Sequence, residues 1–405
     1  MKIALLGYGV VGSGVYELIE HNKKKFYDLY ARDIDIVGIL VNHLDKYTHL
    51  EHYNLFTNEF ETISNLSFDV AIETIGGVYP AFDYVKMLLE SGKHVITSNK
   101  DLIAEKGIEL HKIAALNSVE LSYEASVCGG LPLLKPIREC LVGDSIMEIT
   151  GIVNGTTNFI LTKMNEEGLS YTDALTMAQN LGFAEADPTS DVEGFDAVRK
   201  ISILTRLGLD VTLDWKLLPV EGITQITSED VAYLKKTGKV IKLIGMTMRF
   251  ENTVYAAARP VILSKSSKFS CINNEFNAVR IIGEYVGELF FSGKGAGKFP
   301  TATAVLGDIV DLIQNKKQKI NVTHTSVTPL DLYPFKATWI LRLSQFELSE
   351  LKDVLFKSLH SDDYAIVFLS DDAPVYIELR NLTESELIKL KASISLCKNK
   401  HYLAM

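Results

Sequence analysis

Between Gly182 and Lys200 the chain reads GFAEADPTSDVEGFDAVRK. Glu185, Asp187, Asp191, Glu193 and Asp196 crowd a loop broken by Gly and Pro, and a helical run then carries Lys200. Carboxylates this close repel one another unless a cation or an ammonium-bearing ligand sits among them. Asp196 and Lys200 have i,i+4 spacing, which on a helix places them on one face. The pattern suits a site for a cation or an ammonium-bearing ligand. It equally suits an acidic helix start that complements the helix dipole, with an ordinary surface pair behind it.

A second constellation opens the chain. The apolar run Lys2–Leu6 leads into Gly7-Tyr8-Gly9-Val10-Val11-Gly12, and an apolar-periodic stretch with Val15, Leu18 and Ile19 follows. Strand, glycine turn and helix in that order make a dinucleotide-binding fingerprint. The first Gly allows the tight turn, the second lets backbone approach a pyrophosphate, and the third lets helix pack on strand. The phosphates would lie at the positive end of the helix. The next expected strand, Asp35–Val41, ends at Asn42-His43, without the acid that clamps the ribose hydroxyls of NAD. No Arg stands there either, so NAD and NADP both remain open; Lys46 is close enough in sequence to approach a 2′-phosphate.

These sites need positioning elements, and a chain of 405 residues predicts two or three domains to supply them. Hydrophobic and charged contents of 47% and 23% fit a soluble globular protein. The net charge of −10 argues against nucleic acid as a partner. No apolar run is long enough to span a bilayer, and the first residues begin a core strand rather than a signal peptide. Cys128, Cys140, Cys271 and Cys397 are scattered without CxxC spacing, which predicts reduced thiols in the cytoplasm. His49 and His52 form a lone HxxH pair in a polar stretch, too little for zinc.

The pattern predicts an α/β protein. Strand–helix alternation runs to about Leu121, with strands at Val70–Glu73 and His94–Thr97 and a helix from Pro80 to Glu90. Thr74, Gly76, Ser98 and Lys100 then fall at strand carboxyl ends, where open α/β sheets bind ligands. From Ile146 long alternating runs predict a mixed sheet covered by helices, with strands at Ile146–Val153, Val240–Phe250, Val254–Leu263, Ala278–Ile282 and Glu288–Ser292. Ser170 and Asp173 read as a capping box. A second glycine loop, Gly293–Gly297, precedes a helix Thr301–Gln314. The domains expected are 1–130 for the dinucleotide, completed by about 293–315, and 131–292 for substrate and dimerisation. A polar linker at 316–332 then leads to 333–405. This last unit predicts strand-helix-strand-strand-helix-strand, a ferredoxin-like βαββαβ, with helices Leu348–Leu359 and Glu384–Leu396 and a final strand at His401–Leu403.

Taken in order, GYGVVG (Gly7–Gly12), TSNK (Thr97–Lys100), YEASVCGGLP (Tyr123–Pro132), NGTTNFIL (Asn154–Leu161), AEADPTSDVEGFDAVRK (Ala184–Lys200) and GKGAGKFPTATAVLGD (Gly293–Asp308) resemble homoserine dehydrogenases over about the first 310 residues. The C-terminal unit resembles a divergent ACT domain. It reads Ser344-Gln345-Phe346-Glu347 where the effector loop of that module has Asp and Pro-Gly.

The resemblance implies an NAD- or NADP-dependent reduction of aspartate 4-semialdehyde to homoserine. It implies a Rossmann domain, an oligomer (a homodimer or larger) and no membrane partner. By family position Glu185 and Asp196 bind substrate, Asp191 holds the ammonium or orients the lysine, and Lys200 donates the proton, with Lys100 as second candidate. Gly7, Gly9, Val10, Val11 and Gly12 would face the pyrophosphate, Thr74, Gly76, Ser98 and Lys100 the nicotinamide, and Gly297 would close the site. Glu124, Val127, Gly129 and Leu131 resemble the family's monovalent cation loop, suggesting Na+ held mostly by carbonyls. Two rivals remain at this level: an acylating semialdehyde dehydrogenase using Cys128, although no His is placed to activate it, and a non-catalytic cofactor and amino-acid sensor.

Overall fold

The computed structural model describes residues 1–316, 325–344, 347, 364–368, 374–393 and 400–405. Its first unit comprises strands β1 (Lys2–Leu6), β2 (Asp35–Leu40), β3 (Phe56–Thr57), β4 (Val70–Glu73), β5 (His94–Thr97) and β6 (Leu121–Ser122). The helices between them are α1 (Val10–Tyr30), α2 (Phe60–Ser64), α3 (Ala81–Glu90) and α4 (Lys100–Leu116). The strands pair in the order β3-β2-β1-β4-β5-β6, all parallel. Parallel strands covered on both faces read as unbroken apolar runs, and all four residues of β4 are buried, Glu73 included. This is the doubly wound order whose carboxyl ends carry ligands.

The second body of structure contains β7 (Ile146–Ile152), α5 (Gly155–Glu167), α6 (Tyr171–Asn180), α7 (Thr189–Val192), α8 (Phe195–Gly208), β8 (Val211–Thr212) and α9 (Ser228–Lys236). It continues with β9 (Lys239–Phe250), β10 (Thr253–Ser264), β11 (Phe276–Gly283) and β12 (Gly287–Lys294). Its long strands pair antiparallel, as their alternating pattern predicts. The chain then returns through α10 (Lys298–Ile313), whose Ala302, Val305 and Ile309 pack with Ile3, Leu5, Val15 and Ile19 of the first unit. α10 thus packs in the layer over β1.

The remaining elements are β13 (Thr325–Ser326), β14 (Ala337–Leu343), β15 (Tyr364–Phe368), β16 (Val375–Leu382), α11 (Glu384–Ser393) and β17 (His401–Ala404). The expected helix Leu348–Leu359, Gln345 and Phe346 of the loop before it, and Cys397 lie outside the described residues, as do 317–324 of the expected linker. The described remainder of that linker runs along the body: β13 pairs with β8, and Leu330 donates its backbone N–H to Val254 O at 2.9 Å.

The C-terminal strands stand in the order β17-β14-β16-β15 with antiparallel neighbours. They do not form a detached sheet. β17 pairs in parallel with β10, giving one nine-stranded mixed sheet, β12-β11-β7-β9-β10-β17-β14-β16-β15. The reason is visible at β10, whose outer edge would otherwise present unpaired backbone groups. Asp230 of α9 locks the join. Buried to 1% exposure, it accepts from Arg342 Nη1 at 2.7 Å, Tyr376 OH at 2.8 Å and Tyr402 OH at 2.9 Å, which come from β14, β16 and β17. Thr227 and the same Asp230 make a full capping box for α9. The box expected at Ser170 is half made: Asp173 N donates to Ser170 Oγ at 3.2 Å, while the serine hydroxyl turns to Asp173 Oδ2.

Candidate active site

Asp196 sits in the first turn of α8, just after Gly194, and is 3% exposed. Lys200, one turn on, donates to Asp196 Oδ2 at 2.8 Å and to the carbonyl of Val153 at 2.8 Å. Lys100 enters from the first residue of α4, its Nζ 3.2 Å from Asp196 Oδ1. Asp191, on the single-turn α7, joins through Asn154. That amide donates to Asp191 Oδ1 at 2.7 Å and to Asp196 Oδ2 at 2.9 Å, while its own Oδ1 caps α5 through Thr157 N. Thr156 Oγ1 lies 3.1 Å from Asp191 Oδ2. Helices α4, α7 and α8 and the turn after β7 therefore converge on one charged cluster.

The electrostatics separate the two acids. Burial works to raise the Asp196 carboxyl, but the Lys200 and Lys100 ammonium groups override it and hold it well below the usual carboxylate range. Asp191 is pushed up, by burial first and then by the charge on Asp196, against the hydrogen bond from Asn154 and the field of Lys200. For Lys200 burial alone would lower the pKa; Asp196, Cys128 and Asp191 outweigh it and raise it. Lys200 is thus held as an ammonium. Such a group has three N–H bonds, and its two described partners take two of them.

Glu185 stays outside this cluster. It is exposed, its carbonyl accepts from Gln179 Nε2 at 3.1 Å, and its carboxylate forms no ion pair with a described residue. Asp187 is likewise exposed and turned to Thr189 N and Oγ1. Sequence reasoning missed Asn154, Thr156 and the Val153 carbonyl. Asn154 heads the NGTTN turn and reads locally as a helix cap; that it also ties two acids from a distant loop has no local signal.

At the glycine turn, Gly7 has φ +102, and a Cβ there would lie 2.9 Å from the Thr74 backbone. A Cβ on Gly12 would meet Gly7 O at 2.2 Å. A Cβ on Gly9 would meet nothing within 4 Å, so the second glycine borders open space beside the start of α1. Gly9 is itself the N-cap of α1, with no side-chain cap and no acid in the first turn. The first N–H groups and the dipole end therefore remain for an anion, and the residues present fit a dinucleotide pyrophosphate. The adjoining cleft is lined by Gly7, Tyr8, Gly9, Asn42, His43, Lys46, Tyr47 and Thr74 among others, with no carboxylate among them. His52 of the HxxH pair lies against Tyr16 with ring centroids 3.9 Å apart and its Nε2 is 3.0 Å from Tyr8 OH, a packing role.

The loop expected to hold a cation leaves less to side chains than its Glu suggests. The Glu124 carboxylate is taken by the backbone N–H groups of Leu133 (2.7 Å), Leu134 (3.0 Å) and Lys135 (2.8 Å). Its own N–H donates to Asp308 Oδ2 at 3.0 Å. Burial, and next the charge on Glu124, push Asp308 up to about 8. Cys128 is 1% exposed, and Asn277 Nδ2 lies 3.3 Å from its Sγ. Burial raises the thiol despite the nearby Lys200. A buried thiol with a raised pKa is a poor nucleophile, which counts against the acylating alternative.

A doubly wound dinucleotide unit beside a buried Lys/Asp cluster defines a nicotinamide-dependent oxidoreductase. A family model described as the NAD binding domain of homoserine dehydrogenase matches residues 7–124, and one described as homoserine dehydrogenase matches residues 132–310. The chain belongs to the homoserine dehydrogenase family. It is 44% identical over 328 residues to the homoserine dehydrogenase of Bacillus subtilis, covering 80% of this chain and 75% of that one. With the Lactococcus lactis enzyme it shares 37% over 321 residues, 78% and 75% of the two chains. The crystal structure of a homoserine dehydrogenase from Thiobacillus denitrificans superposes with a TM-score of 0.89 at 31% identity, covering 100% of this chain and 98% of that one. The S. aureus enzyme at pH 6.5 gives 0.81 at 31%, with the same coverage.

Proposed function

We propose that this chain catalyses the reversible reduction of L-aspartate 4-semialdehyde to L-homoserine, with Lys200 donating the proton to the aldehyde oxygen. The reading rests on one observation above all: a buried lysine, kept charged by Asp196, with one N–H not taken by its described partners. A nicotinamide cofactor held at the glycine turn would supply the hydride in reduction and take it back in oxidation. As negative charge grows on the carbonyl oxygen, the remaining Lys200 N–H is the donor that stabilises and then protonates it. Asp196 and the Val153 carbonyl hold the ammonium in place. Asp191, anchored by Asn154, and the ion-pair-free carboxylate of Glu185 are the acids we assign to the substrate's α-ammonium, since a charge leaving water needs partners of opposite sign. Lys100 is assigned to the substrate side of the cleft, with Asp196 as its counter-ion.

We read the cofactor as NADP in preference to NAD. The cleft past β2 carries His43 and Lys46 and no carboxylate, a lining that favours a 2′-phosphate over a ribose hydroxyl clamp. Thr74, Gly76 and Ser98 are assigned to the nicotinamide, Gly9 to Gly12 to the pyrophosphate, and Gly297, at the N-cap of α10, to closure. For the Glu124–Leu131 loop we keep Na+ through the carbonyls of Glu124, Val127, Gly129 and Leu131, because the Glu124 carboxylate is already engaged. The β17-β14-β16-β15 order is that of a ferredoxin-like unit, and supports an ACT-like reading of residues 333–405 with weak threonine sensing or none. We read the enzyme as a cytoplasmic homodimer; β12 is an edge strand of the long sheet and Tyr285 and Val286 beside it are 77% and 47% exposed.

Purified protein mixed with homoserine and either NADP or NAD tests the reading by the absorbance of reduced nicotinamide. Turnover with a higher kcat/KM for NADP supports it. Silence from neutral to strongly alkaline pH with both cofactors would replace it with the sensor.

A further inference from the structure

Glu73 is the last residue of β4 and has no accessible surface. No ion pair joins it to a cation among the described residues. A carboxylate buried without a counter-charge must be held by hydrogen bonds to its oxygens. Oε1 accepts from the backbone N–H of Ile75 at 2.7 Å and of Gly76 at 3.2 Å, closing the loop that follows β4 on itself. The same oxygen lies 3.4 Å from Asn99 Nδ2. Oε2 accepts from Thr97 Oγ1, the last residue of β5.

The second loop is tied in turn. Thr97 Oγ1 receives Asn99 N at 2.9 Å, Asn99 Nδ2 donates to Gly77 O at 2.6 Å, and Asn99 Oδ1 caps α4 through Leu102 N at 3.1 Å. Lys100 is the first residue of that helix. One carboxylate therefore joins the loop after β4, the loop after β5 and the start of the helix that sends Lys100 to Asp196. Burial, the largest influence on it, raises its pKa against all four hydrogen bonds. A plain structural role would be met by an apolar residue at this strand end, as at the neighbouring strand end, where Leu6 pairs with Glu73 in the sheet.

We propose that Glu73 is a positioning residue that locks the two strand-end loops into a single geometry, and so sets the cofactor-facing atoms of Thr74, Gly76 and Ser98 relative to the Lys100 ammonium. The proposal rests on the assignment of those loops to the nicotinamide. Glu73 itself touches neither cofactor nor substrate.

The test separates cofactor from substrate. NADPH affinity is measured by fluorescence titration without substrate, alongside KM values for cofactor and homoserine, in the wild type and in Glu73→Ala, Glu73→Gln and Thr97→Val. Loss of the lock should weaken NADPH binding by about ten-fold or more in Glu73→Ala, because sub-ångström misplacement of binding groups is costly. The homoserine KM should change much less than the NADPH affinity, since the acids assigned to substrate lie on other elements and only Lys100 starts on the tied helix. Glu73→Gln keeps an oxygen for Ile75 and Gly76 and should recover most of the affinity; Thr97→Val, which removes the Thr97 tie to Glu73 and the acceptor of Asn99 N but leaves the Asn99 side-chain ties, should lie between. If Glu73→Ala does not fold, Glu73→Gln and Thr97→Val carry the same comparison. Unchanged NADPH affinity in the folded variants overturns the proposal, and so does a parallel rise in both KM values. Failure of the wild type to bind NADPH or NADH would overturn the underlying functional reading instead.

Discussion

At the scale of single residues the site is an argument about charge. Lys200 is expected to be indispensable. Lys200→Met should lower turnover by about a thousand-fold or more while NADPH still binds, checked by steady-state rates and fluorescence titration; near-normal rates would transfer the proton-donor role to Lys100. The raised pKa of Lys200 also sets a direction with pH. With Lys200 in the proposed role, reduction would use the ammonium form and should run unimpeded at neutral pH. Oxidation would then need the free amine as base, so its rate should climb with pH past the ordinary lysine value of about 10.4. Asp196→Asn removes the largest influence raising that pKa and should move the alkaline limb down by about one unit or more. A limb that stays in place would show that another group is titrating. Much of this was legible in the sequence, because i,i+4 spacing fixes Asp196 against Lys200 wherever a helix forms. The contribution of Asn154 was not, because its two acid partners come from residues 37 and 42 positions away.

Elements were read most faithfully where the local pattern had one solution. β4 and β5 have the bounds that their sequence pattern predicts, and the glycine turn makes the strand-to-helix passage its spacing requires. That turn offers a clean separation of folding from binding. Gly12→Ala would drive a Cβ into Gly7 O and should destabilise the first unit outright. Gly9→Ala, at φ −79 and facing open space, should leave the melting temperature unchanged yet weaken NADPH binding by about ten-fold, because the added methyl occupies the approach to the pyrophosphate. Equal thermal losses in the two variants would contradict this. Elements were read least well where long-range pairing decides. β12 runs two residues further into the second glycine loop than its alternation suggests, because β11 continues to pair with it as far as Phe276 and Lys294. Glu185 lies in a loop without regular structure, and the fold leaves it at the surface while Asp191 and Asp196 meet through Asn154.

At the scale of the whole molecule, the contact between α10 and the loop around Glu124 fastens the returning helix onto the dinucleotide unit through a buried acid. Asp308, pushed up to about 8, binds its proton more tightly in the folded chain than in the unfolded one, where it titrates near 3.9. Its contribution to stability is therefore complete below about pH 4 and is lost as pH rises through about 8. Asp308→Asn still offers an oxygen to the Glu124 N–H but cannot ionise. Its melting temperature should fall less between pH 5 and pH 9 than that of the wild type, by several degrees for a chain of this size. Parallel curves would place the buried charge elsewhere. The sequence predicted three units and their order, yet not that two of them share a sheet, because strand order between distant segments leaves no trace in local alternation.

That shared sheet has a consequence for how such a protein can be shortened. A message that stopped at Gln314 would encode every group assigned here to chemistry. Its product would nonetheless carry Asp230 and Arg259 stripped of Arg342 and Glu384, their nearest opposite charges, and a twelve-residue strand whose outer flank keeps the pairing of Ala258 with Pro219 and Glu221 but loses β17 and Leu330. Such a ribbon recruits other ribbons. The expected fate of the fragment is precipitation or disposal by the cell's quality control, long before its catalytic competence is ever sampled.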